Sequence, residues 1–447
     1  MKLAIDKPGK PILRIAPIAV AALILIAGIL IFVFRDRIFE KGIRPDAARA
    51  VPTGEMIRAA EKSGFGSDPQ YGRMKALLIA DAKTSPYILS WYLLPGQLLS
   101  MTPGQSAYVD ASDQAILMRL YVARGDRRAA RALSEAIATD FTDGTGGLLD
   151  TLSIESVGRL SGKSPVEAYV PELEQADRIE GSSLEASLSY MRALLEYTGR
   201  WGGTEEWERI RSIASSIYTP ETGFLQDHVI LTSQTENLMV GLVDYEEYFD
   251  GIIEPPMVFR ALKLSALDLR ALQILATTDA TYAPMYEEAL GIVRGGYISA
   301  GVPLYALAYS PTDGDYFFFT GEEARISAVP SLQTMLSLAE VGELPRESLS
   351  WIREQIYNVG FIYTEYDIIS GATASETEAT EAYGLILRIA LVEGDTDLYS
   401  RTLTRLSRSM ASLDTSPARY MIFRKWGERR NMVFAADNLS VLMATTG

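Results

Sequence analysis

From Tyr71 onward, apolar side chains recur every three or four positions, as in YGRMKALLIADA (Tyr71–Ala82) and EASLSYMRALLEYTG (Glu185–Gly199). That spacing is the helical period, not the alternation of a strand. Two distant segments, ILMRLYVARGDRRAARAL (Ile116–Leu133) and LILRIALVEGDTDLYSRTL (Leu385–Leu403), share one layout: an apolar helix, a tight turn, then an amphipathic helix. Arg119 matches Arg388 and Gly125-Asp126 matches Gly394-Asp395, at a single offset of 269 residues. A helix that is apolar all round is buried, whereas an amphipathic one lies at the surface. Gly125-Asp126, Gly342-Glu343 and Gly394-Asp395 read as punctuation. Glycine suits the left-handed position that ends a helix, and the acid after it can cap the next one.

Irregular stretches rich in Gly, Thr, Ser, aromatics and acids precede several apolar helices, at Thr219–Asn237, Ser310–Pro330 and Gly360–Gly384. They allow short strands but no organising sheet. Buried and exposed helices alternating in this way form either an open solenoid or a closed ring. The units are uneven and lack the fixed period of a solenoid. The last helix ends apolar, in AADNLSVLMATTG, instead of in a polar capping repeat. Closure onto the first helix accounts for that. The expected fold is all-α: an (α/α)6 toroid of inner and outer helices over residues 54–447.

The N-terminus changes the picture. Ile15–Phe34 is a run of twenty uncharged residues, about the length that crosses ~30 Å of hydrocarbon as a helix. It leads into RDRIFEKGIRP with no small-residue cleavage site, so an uncleaved anchor is expected. Residues 1–14 then form a cytoplasmic tail, 15–34 a single span in the cell membrane and 35–53 a linker. Four basic residues precede the span and four follow it closely, with Asp36 and Glu40 among the latter. The expectation is an inside N-terminus and an extracytoplasmic bulk.

Composition narrows the chemistry. A formal net charge of −15 leaves no basic stripe for nucleic acid. The chain has no cysteine and one histidine, His228, which excludes disulfides, thiolate metal sites and a multi-histidine centre. No calcium loop, phosphate loop or dinucleotide fingerprint is present. No metal and no cofactor are expected.

Within that architecture several fragments resemble glycoside hydrolase family 8, an (α/α)6 family acting on β-1,4-linked polysaccharides. Ala111-Ser112-Asp113, before an apolar helix, is similar to the family's Ala-Thr-Asp-Gly-Asp, with Ala115 at the second acid. ILSWYLL (Ile88–Leu94) resembles its tryptophan-bearing approach. SDPQYGRM (Ser67–Met74) resembles Ser-Glu-Gly-Gln-x-Tyr-Gly-Met with one gap, Asp68 standing for the glutamate. TGFLQDHV (Thr222–Val229) resembles the Gly-Leu-x-x-Asp-Trp turn. QTENLMVGLVDY (Gln234–Tyr245) resembles the base-bearing helix, with Met239 near the family's arginine.

The resemblance implies inverting hydrolysis of a β-linked polysaccharide, with Asp68 as acid, Glu236 as base and Asp113 binding a distorted sugar. Inversion needs two carboxyls about 6.5–9.5 Å apart, one protonated and one activating water. Trp91, Tyr92 and Tyr108 are expected as sugar platforms, and Asp227, Glu376 and Glu378 as further substrate contacts. Each has a plainer reading: Asp68 as a helix start before Pro69, Asp113 as a helix-dipole partner, the aromatics as core. Asp110, just outside the helix, is expected as its cap. The expected partners are a polysaccharide or oligosaccharide and, through residues 15–34, the lipid bilayer. The rival readings are a non-catalytic carbohydrate-binding or scaffolding toroid in envelope or exopolysaccharide assembly, and a lyase or epimerase on the same fold.

Overall fold

Among the described residues, six apolar helices follow one another around a closed ring. They are α3 (Ala111–Arg124), α5 (Leu184–Trp201), α7 (Leu269–Thr278), α9 (Ala328–Glu340), α11 (Ala382–Val392) and α13 (Ala435–Thr445). Each packs on the next, and α13 packs on both α11 and α3. The apolar last helix is therefore the closing stave. Its residues from Asp437 to Thr445 are all buried. The computed structural model describes residues 43–81, 85–94, 104–105, 108–153, 182–231, 257–318, 324–426 and 430–447. Ile15–Phe34 and Glu236 lie outside them. Among the described residues no helix is long and apolar enough to cross a membrane.

The outer layer consists of α1 (Gly54–Lys62), α2 (Ser67–Leu78), α4 (Arg127–Asp140), α6 (Thr204–Ile217), α8 (Ala283–Gly295), α10 (Arg346–Glu354) and α12 (Thr396–Leu406). These are amphipathic: α4 buries Ala130, Leu133, Ser134, Ala136 and Ile137 and leaves its arginines outside. The offset of 269 residues is a structural repeat, since Ile116–Arg124 and Leu385–Val392 both lie on inner helices. Gly125 and Gly394 take φ of +77° and +67°, and the next residue caps the outer helix: Asp126 accepts from Ala129 N at 3.0 Å and Asp395 from Leu398 N at 2.9 Å. The third turn differs. Gly342 is left-handed at +77°, but Pro345 occupies the cap position of α10, and Glu343 instead pairs with Arg294 at 2.6 Å.

Strands are short and confined to small sheets of two or four strands among the described residues. The strand that leads into α13 (Arg430–Phe434) pairs with Trp91–Leu93 in the register Phe434↔Trp91 and Val433↔Tyr92. Chain end and chain start are thus stitched together at the same rim.

Midway down the ring lies a charged layer. Arg192 of α5 is 2% exposed and meets Glu196 at 2.9 Å, Asp268 at 3.0 Å and Glu340 at 3.5 Å. Arg119 of α3 joins Glu196 at 2.9 Å, and Arg388 of α11 joins Glu340 at 3.4 Å. Burial by itself would raise the pKa of Glu340, but Arg192 and Arg388 hold it down to about 2. Below this layer, residues 43–53 cross the closed end of the ring: Arg49 donates to the carbonyls of Met443 (3.1 Å) and Thr446 (2.6 Å), and Arg270 donates to Ala48 O (3.3 Å).

Removing one member of such a cluster strands the others in a poorly solvated place. Arg192→Met is expected to destabilise the protein by ~3–5 kcal/mol, the usual cost of leaving buried charges uncompensated. Chemical denaturation checks this; a loss below ~1 kcal/mol would mean that water already screens the layer.

Candidate active site at the mouth of the ring

Inner helices that run parallel bring their N-terminal ends together. Here they surround a chamber of about 1450 Å³, lined by residues such as Ser112 and Ile116 (α3), Glu185 and Ser189 (α5), Gln333 and Ser337 (α9) and Asp437 and Ser440 (α13). Arg119, Asp268, Glu340 and Arg388 of the charged layer form its floor. A helix N-terminus carries partial positive charge, so acids in first turns are favoured there.

One device fixes how four of these helices enter the mouth. The fourth residue of the helix binds the backbone of a preceding segment. Gln114 of α3 donates to Ile88 O and accepts from Ile88 N, both at 2.8 Å. Asn438 of α13 repeats this on Ile422, at 3.1 and 2.8 Å. Ser187 of α5 accepts from Leu148 N (3.0 Å) and Ser331 of α9 from Tyr305 N (2.9 Å). In α3 and α13 the residue just before the clamp is an aspartate, so Ala-Ser-Asp-Gln (111–114) and Ala-Ala-Asp-Asn (435–438) are two copies of one motif.

The result is a row of carboxyls on three neighbouring staves. Asp113 is buried, and burial together with Asp110, Asp437, Glu185 and Asp150 keeps its pKa well above the usual carboxylate range. Burial pushes Glu185 up to about 7, against a lowering by Lys263. It pushes Asp437 up to about 6, with Arg424 opposing and Glu381 reinforcing the rise. Glu376 and Glu381 stand before α11 and line the chamber. Glu381 pairs with Arg424 at 2.9 Å. Glu185 begins α5, second in the ring, and Glu376 precedes α11, the fifth; both line the chamber.

The sequence-derived residues divide accordingly. Glu376 lines the chamber, whereas Asp113 lies buried in the first turn of α3 beside the lining residue Ser112. Asp68 does neither: it starts the outer helix α2, is largely exposed and pairs at 2.6 Å with Arg124, the last residue of α3. Eleven residues of helix separate Arg124 from Asp113, a rise of ~16 Å away from the mouth. The SDPQYGRM segment is an outer helix, not a stave. Trp91 and Tyr92 are buried in the sheet that closes the ring, Tyr108 lies half-buried in the strand before α3, and none of the three lines the chamber. Asp227 caps α5 by accepting from Leu184 N at 2.9 Å. For Glu378, burial alone would raise the pKa, but hydrogen bonds from Arg405 and Tyr383 hold it low in a structural ion pair. Asp110 occupies the N-cap position without capping; its carboxylate accepts from Thr151 at 2.9 Å. Glu185 and Asp437 were not anticipated. Their signal was the position of an acid in the first turn of an apolar helix, and for Asp437 the copy of the Asp113 motif.

No family description and no curated relative matches the chain. Solved structures do match. A novel α-amylase from Clostridium perfringens superposes with a TM-score of 0.61 at 19% identity, over 84% of this chain and 96% of that one. PssZ from Listeria monocytogenes gives 0.51 at 10% identity, over 90% and 97%. Endoglucanase Cel10, a family 8 glycosyl hydrolase from Klebsiella pneumoniae, gives 0.46 at 16% identity, over 76% and 98%. The first two superpositions show the fold, an (α/α)6 helical toroid.

A carboxyl that keeps its proton longer in the folded state couples stability to pH. Unfolded, Glu185 titrates near its ordinary 4.5; folded, it titrates near 7. The native protein therefore holds the extra proton, and stability falls as pH rises through this window and levels off above it. Replacing Glu185 with Gln is expected to flatten part of the decline in melting temperature between pH 4.5 and 7 and to raise it at pH 8. A slope identical in parent and variant would exclude Glu185 as its source.

Proposed function

We propose that the chain is a membrane-anchored glycosidase that cleaves a β-linked polysaccharide in the chamber by inversion. The observation that carries the reading is the convergence of carboxyls from several staves on one mouth, Glu185 among them with a pKa near neutrality. Glu185 retains a proton at a pH where ordinary carboxylates have lost theirs, so it donates that proton to the departing glycosidic oxygen. Glu376, which precedes α11, takes a proton from the water that attacks the anomeric carbon. The sugar sits between them, and Asp113, whose pKa is raised by burial and neighbouring acids, binds one of its hydroxyls. Ile15–Phe34 anchors the chain with residues 1–14 inside, the ring lying on the outer side of the membrane.

A second reading has its own support. Among the described residues no tryptophan, tyrosine or phenylalanine lines the chamber, although sugar-cleaving clefts ordinarily stack rings on such platforms. A platform-free chamber also suits a non-catalytic toroid that holds a glycan during its assembly or export.

Hydrolysis separates the two. Incubated with cellulose, xylan, chitosan or mixed-linkage glucan, the parent is expected to release reducing ends of inverted configuration from at least one. Glu185→Gln and Glu376→Gln should each lower that release by roughly 10²–10⁴-fold, the usual contribution of a positioned acid or base. Glycan binding with no cleavage in the parent would leave the scaffold reading standing alone.

A further inference from the structure

One wall of the chamber carries polar atoms that nothing in the protein satisfies. Asp437 Oδ2 and Ser440 Oγ lie one turn apart on α13, Ser112 Oγ lies on the adjacent α3, and Arg424 Nε reaches in from the strand Arg424–Trp426, which pairs with the one that leads into α13. All four are buried without a hydrogen-bond partner, and all four residues line the chamber. Asp437 is 6% exposed and Ser440 7%. Arg424 Nε approaches Asp437 Oδ2 to 3.3 Å, an ion-pair distance without the alignment of a hydrogen bond. Leaving a buried polar group without a hydrogen bond costs stability. Elsewhere the same rim is satisfied with care, down to both polar atoms of Gln114 and Asn438. The six other such atoms among the described residues belong to Gln70, Trp207, Tyr297, Arg419 and Thr446, none of which lines the chamber, so this wall concentrates them.

Their neighbours hold them in place. The Arg424 guanidinium is tied to Glu381 at 2.9 Å and lies 3.9 Å from the Phe434 ring centre. Ser440 faces Gly384 of α11, where a Cβ would come within 2.8 Å of the serine side chain. Glycine at that position lets α11 approach and confine the hydroxyl.

We propose that this wall is a subsite that anchors a neutral sugar ring through adjacent hydroxyls. A carboxylate oxygen beside a guanidinium N–H offers an acceptor and a donor side by side, and the two serines can each give and take a hydrogen bond. Neighbouring hydroxyls of a pyranose carry that same mixture. An anionic group would meet Asp437 and Glu381, and a hydrocarbon would offer none of the four atoms a hydrogen bond. The subsite rests on reading the chamber as a glycan site, but it does not require cleavage.

Calorimetric titration of the full-length protein with xylotetraose and with cellotetraose tests it, on a Glu185→Gln background to prevent turnover. At least one probe should bind. Asp437→Asn is expected to weaken binding about tenfold or more and Ser440→Ala about fivefold, in line with lost hydrogen bonds to charged and neutral groups. Because the Ser440 hydroxyl makes no bond within the fold, Ser440→Ala should leave the melting temperature unchanged or raise it. Unchanged affinity in both variants, a melting temperature lowered by several degrees in Ser440→Ala, or a background protein that binds neither probe would each overturn the subsite. Binding that depends on the wall while the parent cleaves nothing would sink the hydrolase and keep the subsite. Cleavage by the parent with affinities indifferent to the wall would do the reverse.

Discussion

The guanidinium of Arg192 is the constraint from which the rest of the ring follows. A charge buried to 2% exposure is tolerable only among opposite charges and good hydrogen bonds. Arg192 obtains them from its own helix at Glu196 and from two further staves at Asp268 and Glu340. Arg119 and Arg388 extend the layer to α3 and α11. Hydrophobic burial would let apolar staves slide or rotate at little cost. A layer of paired charges does not, since each partner is satisfied at one depth only. This depth sets where the chamber floor lies and how much of each helix remains above it to form walls.

Above the floor the problem is reversed. Carboxyls gather at the mouth because the N-terminal ends of the staves favour negative charge, yet burial and mutual repulsion resist their ionisation. The raised pKa values of Asp113, Glu185 and Asp437 are the compromise. The fourth-residue clamps make it possible, since they satisfy buried backbone groups at the helix entrances and leave the preceding positions free to carry acids. Chemistry thus becomes available at the end of the ring where structure is held by side-chain clamps, while the floor carries the charge pairs that fix the fold.

Much of the architecture was legible because it repeats. Arg119 and Arg388 share an offset, and both were placed on inner helices; the structure adds the reason, their common role in the floor. The left-handed glycines followed by aspartate were legible for the same cause. Local likeness misled where a short pattern has two structural homes. Asp68-Pro69 at a helix start looks alike on a stave and on an outer helix, and only the tertiary ion pair with Arg124 decides. Asp110 stood in a capping position, but a hydroxyl on a paired strand was the better partner. Trp91 and Tyr92 were read as platforms because tryptophan beside a rim suggests sugar. Strand pairing with the chain's far end buries them instead.

The last step concerns asymmetry. On α3 and α5, Asp113 and Glu185 have neighbours that are mostly other acids. On the side of α9 and α11, the carboxylates of Glu340, Glu365 and Glu381 are each met by an arginine. The ring thereby acquires a side where acids crowd together and a side where each of these three carboxylates has an arginine. Arg424 stands at the boundary, touching Glu381 on one side and Asp437 on the other. The inverting displacement proposed above needs two carboxyls in different surroundings. Here that difference comes from where the arginines fall in the ring, since helix starts alone would have treated every acid alike.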